Sequence, residues 1–558
     1  MAQTGRPQGK RAGLANNDGS SSKRLRRGSP ANPLGIKPLG NLLYAPEHAL
    51  TRAKGLGRLA LLPDELLLSG VFSRLDAEDL LKMAATSRAF YAWSCVEGMW
   101  KGHYIERTHG RLSNWRGSWR ASFLAHERGA YAAADVATPT LHSDVLFQPA
   151  LCAGFNANKI FSSPSFSPSI PRIDGRNLSP STMPHEPAIL TDLMSDWPAM
   201  SDPPNRRWTL PHLAERFPDI ALRAEATLTT LHDYGRYHDD CPQDESPLYL
   251  FESEFVKKTT GRQGPDLGDD YRVPACFSED LFEVMGAERP DYRWLIVGPT
   301  RSGSTWHVDP NHTSAWNAVT VGEKAWVMFP PDVTPPGVYA SEDGAQVEAP
   351  LSLAEWFLSY YDHAKRVYGP RATDSGKRGK MREGICRAGE ILYVPSGWWH
   401  IVVNLTPATA VTQNYVSHRE LPAVLRFMRD RPLQVSGFKL EEAGAGSSGG
   451  LHEDECDETG GGHVFERFVA AMRIAGGDKA RVVEDALSEI GGEGRDLRDA
   501  RDDDEEGGCV QDKKVGLWET LKAQRGTPPE VEKEGTSVAA GGSFSFGFGL
   551  ELGEEEEA

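Results

Sequence analysis

The run Gly303-Ser304-Thr305-Trp306-His307-Val308-Asp309-Pro310 sets an imidazole and a carboxylate two residues apart. In a strand, side chains two apart share a face, so His307 and Asp309 can approach one cation while Val308 points away. A third ligand has to come from elsewhere, and the β-like run Trp398-Trp399-His400-Ile401-Val402-Val403-Asn404 offers His400. Two neutral imidazoles and one carboxylate on one side of a metal leave positions open for a chelating cosubstrate and O2. This donor set points to Fe(II) rather than to a closed structural zinc site. An isolated His-x-Asp is weak, because a surface turn with a capping Asp has the same pattern, so its company matters.

After Gly322-Glu323, read as a hairpin turn, Lys324-Ala325-Trp326-Val327-Met328-Phe329 alternates and puts Lys324, Trp326 and Met328 on one side. A lysine in an apolar strand is costly unless it meets an anion. Gly389 to Pro395 reads as strand and turn, and Ala408 to Val416 as a further strand in which Ala410, Thr412 and Asn414 share a face. Lys324 with these groups can hold the distal carboxylate of a dicarboxylic cosubstrate. His312, past Pro310, reads as a loop histidine. Trp398 and Trp399 must face opposite sides of their strand, so at least one is core.

These segments need a scaffold, and 558 residues suffice for two to four domains of roughly 100–200 residues each. The net charge of -17 is unevenly spread: residues 1–57 carry ten Lys/Arg against two Asp/Glu, and 441–558 carry twelve against thirty. The ends therefore read as a disordered basic arm and a mostly disordered, Gly-rich acidic tail with weak helical candidates near 464–474 and 515–524. Lys10-Arg11 and Lys23-Arg24-Leu25-Arg26-Arg27 resemble a bipartite nuclear import signal. No apolar run reaches the roughly 20 residues of a membrane span, and the polar, basic start is unlike a secretion signal. Seven cysteines without a C-x-x-C pair suit reduced thiols in the cytosol or nucleus and argue against a cysteine-built zinc site.

Residues 58–105 show short helical patterns, with Pro63 in a first turn and Asp76 with Asp79 as a capping-box variant. The order Leu62-Pro63-x-x-Leu66, Val71-Phe72-x-x-Leu75, Leu80, Ala84-x-x-Ser87-Arg88-x-Phe90, Met99-Trp100 resembles an F-box. That resemblance implies docking on an Skp-type adaptor and, through it, a cullin ubiquitin ligase. Trp115 and Trp119 read as core anchors of a helical extension, which with a Ser/Pro-rich linker fills 106–184. Residues 185–418 are β-rich with an insert at 332–385, a helix within 419–440 closes the fold, and 441–558 is the tail.

HVDPNHTSAWN, GEKAWVMFPP, GEILYVPSGWWH and NLTPATAVTQNYV, in that order, resemble a JmjC domain of the Fe(II)- and 2-oxoglutarate-dependent oxygenases. Within that family they look most like the lysyl hydroxylase and arginine demethylase branch once described as a phosphatidylserine receptor. The resemblance implies a mainly β double-stranded β-helix of the jelly-roll or cupin type, beside a small all-α F-box module and disordered tails. It implies His307, Asp309 and His400 as iron ligands, and Lys324, Tyr249, Asn317, Thr412 and Ser304 as 2-oxoglutarate contacts, with Asn414 lining the same cavity. Ser304 stands where relatives carry Thr, and Ser396 where a Gly is frequent; neither change removes a catalytic part. The implied reaction couples decarboxylation of 2-oxoglutarate to succinate and CO2 with O2-dependent oxidation of a Lys or Arg side chain in a nuclear protein. The competing readings are a ligase substrate receptor whose JmjC domain recognises the target, and a catalytically silent scaffold. The basic arm and Lys377 to Arg382 allow a weak RNA or chromatin contact, and the acidic tail can steer basic substrates.

Overall fold

The computed structural model describes residues 34–39, 47–128, 141–201, 206–262, 264–341, 344–350, 352–439 and 462–499. The two basic clusters, the 515–524 helix and most of the acidic tail lie outside the described residues. In chain order the strands are β1 (Arg172–Asp174), β2 (Ala188–Thr191), β3 (Ala221–Ala224), β4 (Thr227–Thr230), β5 (Leu250–Glu252), β6 (Arg293–Gly298), β7 (Gly303–His307), β8 (Ser314–Val321), β9 (Glu323–Phe329), β10 (Tyr339–Ala340), β11 (Val347–Glu348), β12 (Arg382–Arg387), β13 (Ile391–Val394), β14 (Trp399–Asn404) and β15 (Ala408–Tyr415). Nine form one sheet in the order β1-β2-β13-β8-β15-β6-β5-β3-β4, four form a second in the order β12-β9-β14-β7, and β10 pairs with β11.

Period-2 alternation explains how these strands divide two cores. On the inner faces, Trp326, Met328 and Val402 of the smaller sheet meet Ala315, Val319, Leu392 and Val394 of the larger. On the outer face of the smaller sheet, Ala325, Val327, Phe329, Ile401 and Val403 pack with Trp356, Phe357 and Tyr361. Those aromatics come from helices Leu353–Ser359 and Tyr361–Tyr368 of the long insert. Trp398 lies in the inner core and Trp399 in the outer, as their adjacency requires.

The expected mainly β jelly roll is not what the chain forms. Among the described residues it is a mixed α/β fold, 43% helix and 19% strand, with open sheets and no closed barrel. The larger sheet ends on β1 and β4 and the smaller on β12 and β7. Local alternation correctly marks strands, but ladder closure depends on distant pairings that alternation does not encode. Gly322 is likewise no hairpin turn. β8 pairs with β13 and β15, whereas β9 pairs with β12 and β14, so the glycine (φ +84) carries the chain from one sheet to the other. A Cβ there would lie 2.2 Å from the Pro407 carbonyl oxygen.

At the N-terminal end, helices Ala77–Ala84, Arg88–Trp93, Glu97–Arg107 and Trp119–Arg128 bury Phe72, Leu80, Trp93, Trp100 and Trp119. Asp76 caps the first of them, accepting from the Asp79 N–H at 2.8 Å. This module shares one core with the larger sheet. Trp119 Nε1 and the Tyr237 hydroxyl both donate to Asp244 Oδ2, at 3.0 and 2.8 Å, and Lys101 Nζ lies 3.2 Å from Glu225.

Part of the stretch expected as a linker is structured. Helices Asp144–Ala153 and Ala157–Phe161 place Cys152, Phe155 and Phe161 in the outer core, where Phe155 stacks on Phe357. The acidic tail also contains order where it is described. Helices Gly462–Ala475 and Gly477–Asp499 pack Phe468, Met472, Val483 and Ile490 against helix Leu421–Asp430 and residues Leu281, Phe282 and Met285. No helix among the described residues is long and apolar enough to cross a membrane.

Candidate metal centre

His307 ends β7 and His400 is the second residue of β14. The two strands are antiparallel with these residues as direct partners, and the rings stand 4.0 Å apart, centre to centre. Asp309 lies just past β7, where it precedes a short 3-10 turn at Pro310–His312. One ligand atom from each of His307, Asp309 and His400 lies within 4.8 Å of the others. His307 Nδ1 is 2.7 Å from the Thr305 carbonyl and His400 Nδ1 is 3.0 Å from the Trp398 carbonyl. Each carbonyl fixes Nδ1 as the protonated nitrogen and makes Nε2 the one that can ligate.

The electrostatics favour a cation here. Burial, then the neighbouring His400, pushes His307 down to about 3 against the opposing pull of Asp309. Burial pushes His400 down to about 4. Both rings are therefore neutral lone-pair donors at pH 7. Burial raises Asp309, although His307 and the Asn414 amide, 3.3 Å from Oδ1, act the other way. Its other oxygen, Oδ2, is buried without a hydrogen-bond partner. A divalent cation would satisfy that oxygen and offset the cost of a buried carboxylate, so the donor set fits Fe(II).

Lys324 is 1% exposed on β9 and donates to the Tyr249 hydroxyl at 2.7 Å. Burial depresses it to about 7, partly countered by Cys386, its partner on β12. Asn317 on β8 is paired in register with Thr412 on β15, and its Oδ1 is buried and unsatisfied. The Thr412 hydroxyl donates to the Trp316 carbonyl at 3.0 Å, and Asn414 stands beside Asp309.

Ser304 and His307 are three apart, which in a regular strand puts them on opposite faces. A register shift makes Ser304 the partner of Val402 while His307 stays opposite His400, so the irregularity returns both to the same side.

His312 is not in the cluster. Its ring packs 5.0 Å from Phe427 and its carbonyl accepts from the Ser396 hydroxyl at 2.7 Å. Sequence reading missed Asn404, whose Oδ1 is buried without a partner and which pairs in register with Lys324. It lies four residues from His400, on the same face of the same strand, so period-2 counting was the signal.

Comparison with known proteins agrees with this geometry. Residues 180–420 match the cupin-like domain model and 59–106 match the F-box-like model. The chain is 38% identical over 415 residues to the arginine-specific demethylase JMJ22 of Arabidopsis thaliana, covering 73% of this chain and 78% of that protein. It is 35% identical to the lysine-specific demethylase JMJ21 of the same plant, over 66% of this chain and 38% of that one. It is also 35% identical to the bifunctional arginine demethylase and lysyl-hydroxylase psr-1 of Caenorhabditis briggsae, over 49% of this chain and 68% of that one.

The molecule is thus a metal-dependent oxygenase joined to a helical adaptor module. The chain belongs to the JmjC/cupin-like family of Fe(II)- and 2-oxoglutarate-dependent oxygenases and combines that domain with an F-box motif. The F-box supports a substrate-adaptor role beside the catalytic one.

Proposed function

We propose that this oxygenase acts on protein side chains, hydroxylating lysine or demethylating methyl-arginine, with His307, Asp309 and His400 holding the iron. The observation that carries the reading is the close group of two neutral imidazoles and a carboxylate, His400 buried and His307 and Asp309 half-buried, with one unsatisfied carboxylate oxygen. The named activities of its relatives supply the substrate class. When bound, Fe(II) with 2-oxoglutarate and O2 supplies the oxidising chemistry, releasing succinate and CO2 as the substrate carbon is oxidised.

The chain's own groups orient the reactants. Lys324, charged on arrival of an anion and steadied by Tyr249, pairs with the distal carboxylate of 2-oxoglutarate. Asn317, Thr412, Ser304 and Asn414 supply hydrogen-bonding groups beside it, and Trp326 and Met328 pack in the inner core on the same side of β9 as Lys324.

Succinate formation with mass spectrometry of Lys- and methyl-Arg-containing peptides tests this. The expected products carry one added oxygen on lysine or one methylene fewer on methyl-arginine. His307→Ala and Asp309→Ala should abolish succinate, and unchanged turnover in either variant refutes the ligand assignment.

A second role uses the F-box. Leu61 and Leu66 are 88% and 52% exposed on the helical module, an apolar surface suited to an Skp-type adaptor and, through it, a cullin ligase. Failure of a purified Skp-type adaptor to be retained by the full chain removes that role. We read the chain as a basic arm (1–57), F-box (58–105), helical extension and connecting segment (106–184), oxygenase domain (185–418), closing helix (419–440) and acidic tail (441–558). The two basic clusters of the arm support a nuclear location.

A further inference from the structure

Tyr249 meets Lys324 from just outside a strand. Its ring is buried and its hydroxyl accepts from the Lys324 ammonium at 2.7 Å, but β5 begins one residue later, at Leu250. The Tyr249 N–H donates to a side chain, Glu225 Oε1, at 3.3 Å. One residue earlier the pattern repeats, since the Leu248 N–H donates to the Tyr237 hydroxyl at 2.7 Å, and that hydroxyl donates in turn to Asp244.

Both carboxylates are gripped from the helical module. Lys101, on helix Glu97–Arg107, stands 3.2 Å from Glu225 Oε2, so the two oxygens of one carboxylate join an F-box ammonium to the Tyr249 backbone. Trp119 Nε1 donates to Asp244 at 3.0 Å. Just past the Lys101 helix, the chain is fastened to the β3–β4 hairpin that carries Glu225. The Leu228 N–H of β4 donates to the Gly110 carbonyl at 2.8 Å, and the Leu228 carbonyl accepts from the Leu112 N–H at 2.9 Å.

Glu225 holds this place at a cost. It is the first residue of the two-residue turn between Ala224 and Thr227, with a φ of +52°, in the left-handed region that favours glycine or asparagine. A glutamate there is kept by what its side chain bonds. The ion pair is largely enclosed, with the ammonium 23% and the carboxylate 19% exposed. Burial and Asp244 both oppose the charge on Glu225, and Lys101 is the group that chiefly upholds it.

We infer that Lys101 and Glu225 are a positioning pair for the cosubstrate pocket: the F-box ammonium keeps the Glu225 carboxylate on the Tyr249 N–H, and this sets the Tyr249 hydroxyl against Lys324. The inference rests on the proposed role of Lys324 and Tyr249 in holding 2-oxoglutarate. Without Lys101 the carboxylate loses its cation and turns toward water, the Tyr249 N–H loses a charge-assisted acceptor, and the hydroxyl no longer meets the Lys324 ammonium in one fixed geometry. Neither Lys101 nor Glu225 touches a reactant. The helical module thereby belongs to the binding machinery of the oxygenase as well as offering a surface to an adaptor.

The test is isothermal calorimetry of 2-oxoglutarate binding to the full Fe(II)-loaded chain under nitrogen. Lys101→Met should weaken binding about three- to tenfold, and Lys101→Arg, which keeps the cation, should restore it to within about twofold. Glu225→Gln, the other end of the pair and similar in size, should weaken it in the same direction. In a Tyr249→Phe background Lys101→Met should bring no further loss, because the effect acts through the hydroxyl. Fe(II) affinity measured without 2-oxoglutarate should match the wild type in every variant. Overturning results are wild-type 2-oxoglutarate affinity in Lys101→Met, no recovery with arginine, a loss that persists in full with Tyr249→Phe, or an equal loss of Fe(II) affinity, the mark of a general structural defect. Melting temperatures check folding, and if Lys101→Met does not fold, Glu225→Gln alone and with Tyr249→Phe carries the same comparison. Wild-type affinity in Lys324→Met would refute the cosubstrate reading itself, whereas a loss in Lys324→Met with none in Lys101→Met overturns the positioning pair alone.

Discussion

The proposed pairing of Lys324 with 2-oxoglutarate makes the affinity a function of pH. Burial holds its ammonium at about 7 in the protein against 10.5 in water, and only the charged form pairs with a carboxylate. At pH 6 roughly nine-tenths of the molecules carry the charge, and at pH 8 about one in eleven, so apparent affinity should fall about tenfold across that interval. The two histidine ligands do not titrate there, because His307 at about 3 and His400 at about 4 are neutral throughout. Isothermal calorimetry of 2-oxoglutarate binding to the Fe(II) protein under nitrogen, at half-unit steps from pH 6 to 8.5, reads the effect directly. Lys324→Arg should flatten the profile, since a guanidinium stays protonated. An apparent Kd constant within twofold, or an undiminished slope in Lys324→Arg, refutes the assignment. For folding the sign is opposite. Between pH 7 and 10.5 the unfolded chain binds the proton that the folded state has lost, so this residue contributes stability above 10.5 that disappears as pH falls through 7.

Glu97 behaves differently. Burial raises it from 4.5 to about 7 despite the Arg120 and Trp119 N–H groups that donate to it, so its stabilisation is full below pH 4.5 and lost as pH rises through 7. Melting curves over pH 4.5–7.5 should show this decline, and Glu97→Gln should reduce it. Asp270 is fully buried and accepts from Arg206, Arg216 and Trp208, at 2.6, 2.6 and 2.9 Å. Asp270→Ala leaves two half-buried guanidiniums without their carboxylate and should cost about 3 kcal/mol in urea unfolding, the low end for a buried pair. Fe(II) or Mn(II) at a hundred times its Kd should stabilise the wild type by about 2.7 kcal/mol, and His400→Ala should lose that response.

The metal ligands were legible because each sits in a short run whose residue types and alternation are local properties. Lys324 was legible for the same reason, as a charge out of place in an apolar strand. Ser304 was not, on geometry alone, since the bulge that brings it to the His307 side depends on pairing with β14. Gly322 misled because a positive-φ glycine serves a hairpin and a crossing between sheets equally well. Closure misled for a related reason, since which strands end up as edges is settled by partners far away in the chain. Helix Asp144–Ala153 was hidden by an internal Pro149 and by Ser/Pro-rich neighbours, although Cys152, Phe155 and Phe161 bind the segment to the outer core.

The Trp119–Asp244–Tyr237 junction has a consequence for how the molecule works as a machine. A domain hung on a flexible tether samples many bearings, whereas here indole, carboxylate and phenol clasp the adaptor module to the catalytic body like a keel to a hull. A partner gripping the helical end therefore sets the heading of the catalytic mouth. The module is no detachable cassette, because a cut between the two would strip Asp244 of its indole donor and bare the Tyr237 ring that packs on Trp115 and Trp119.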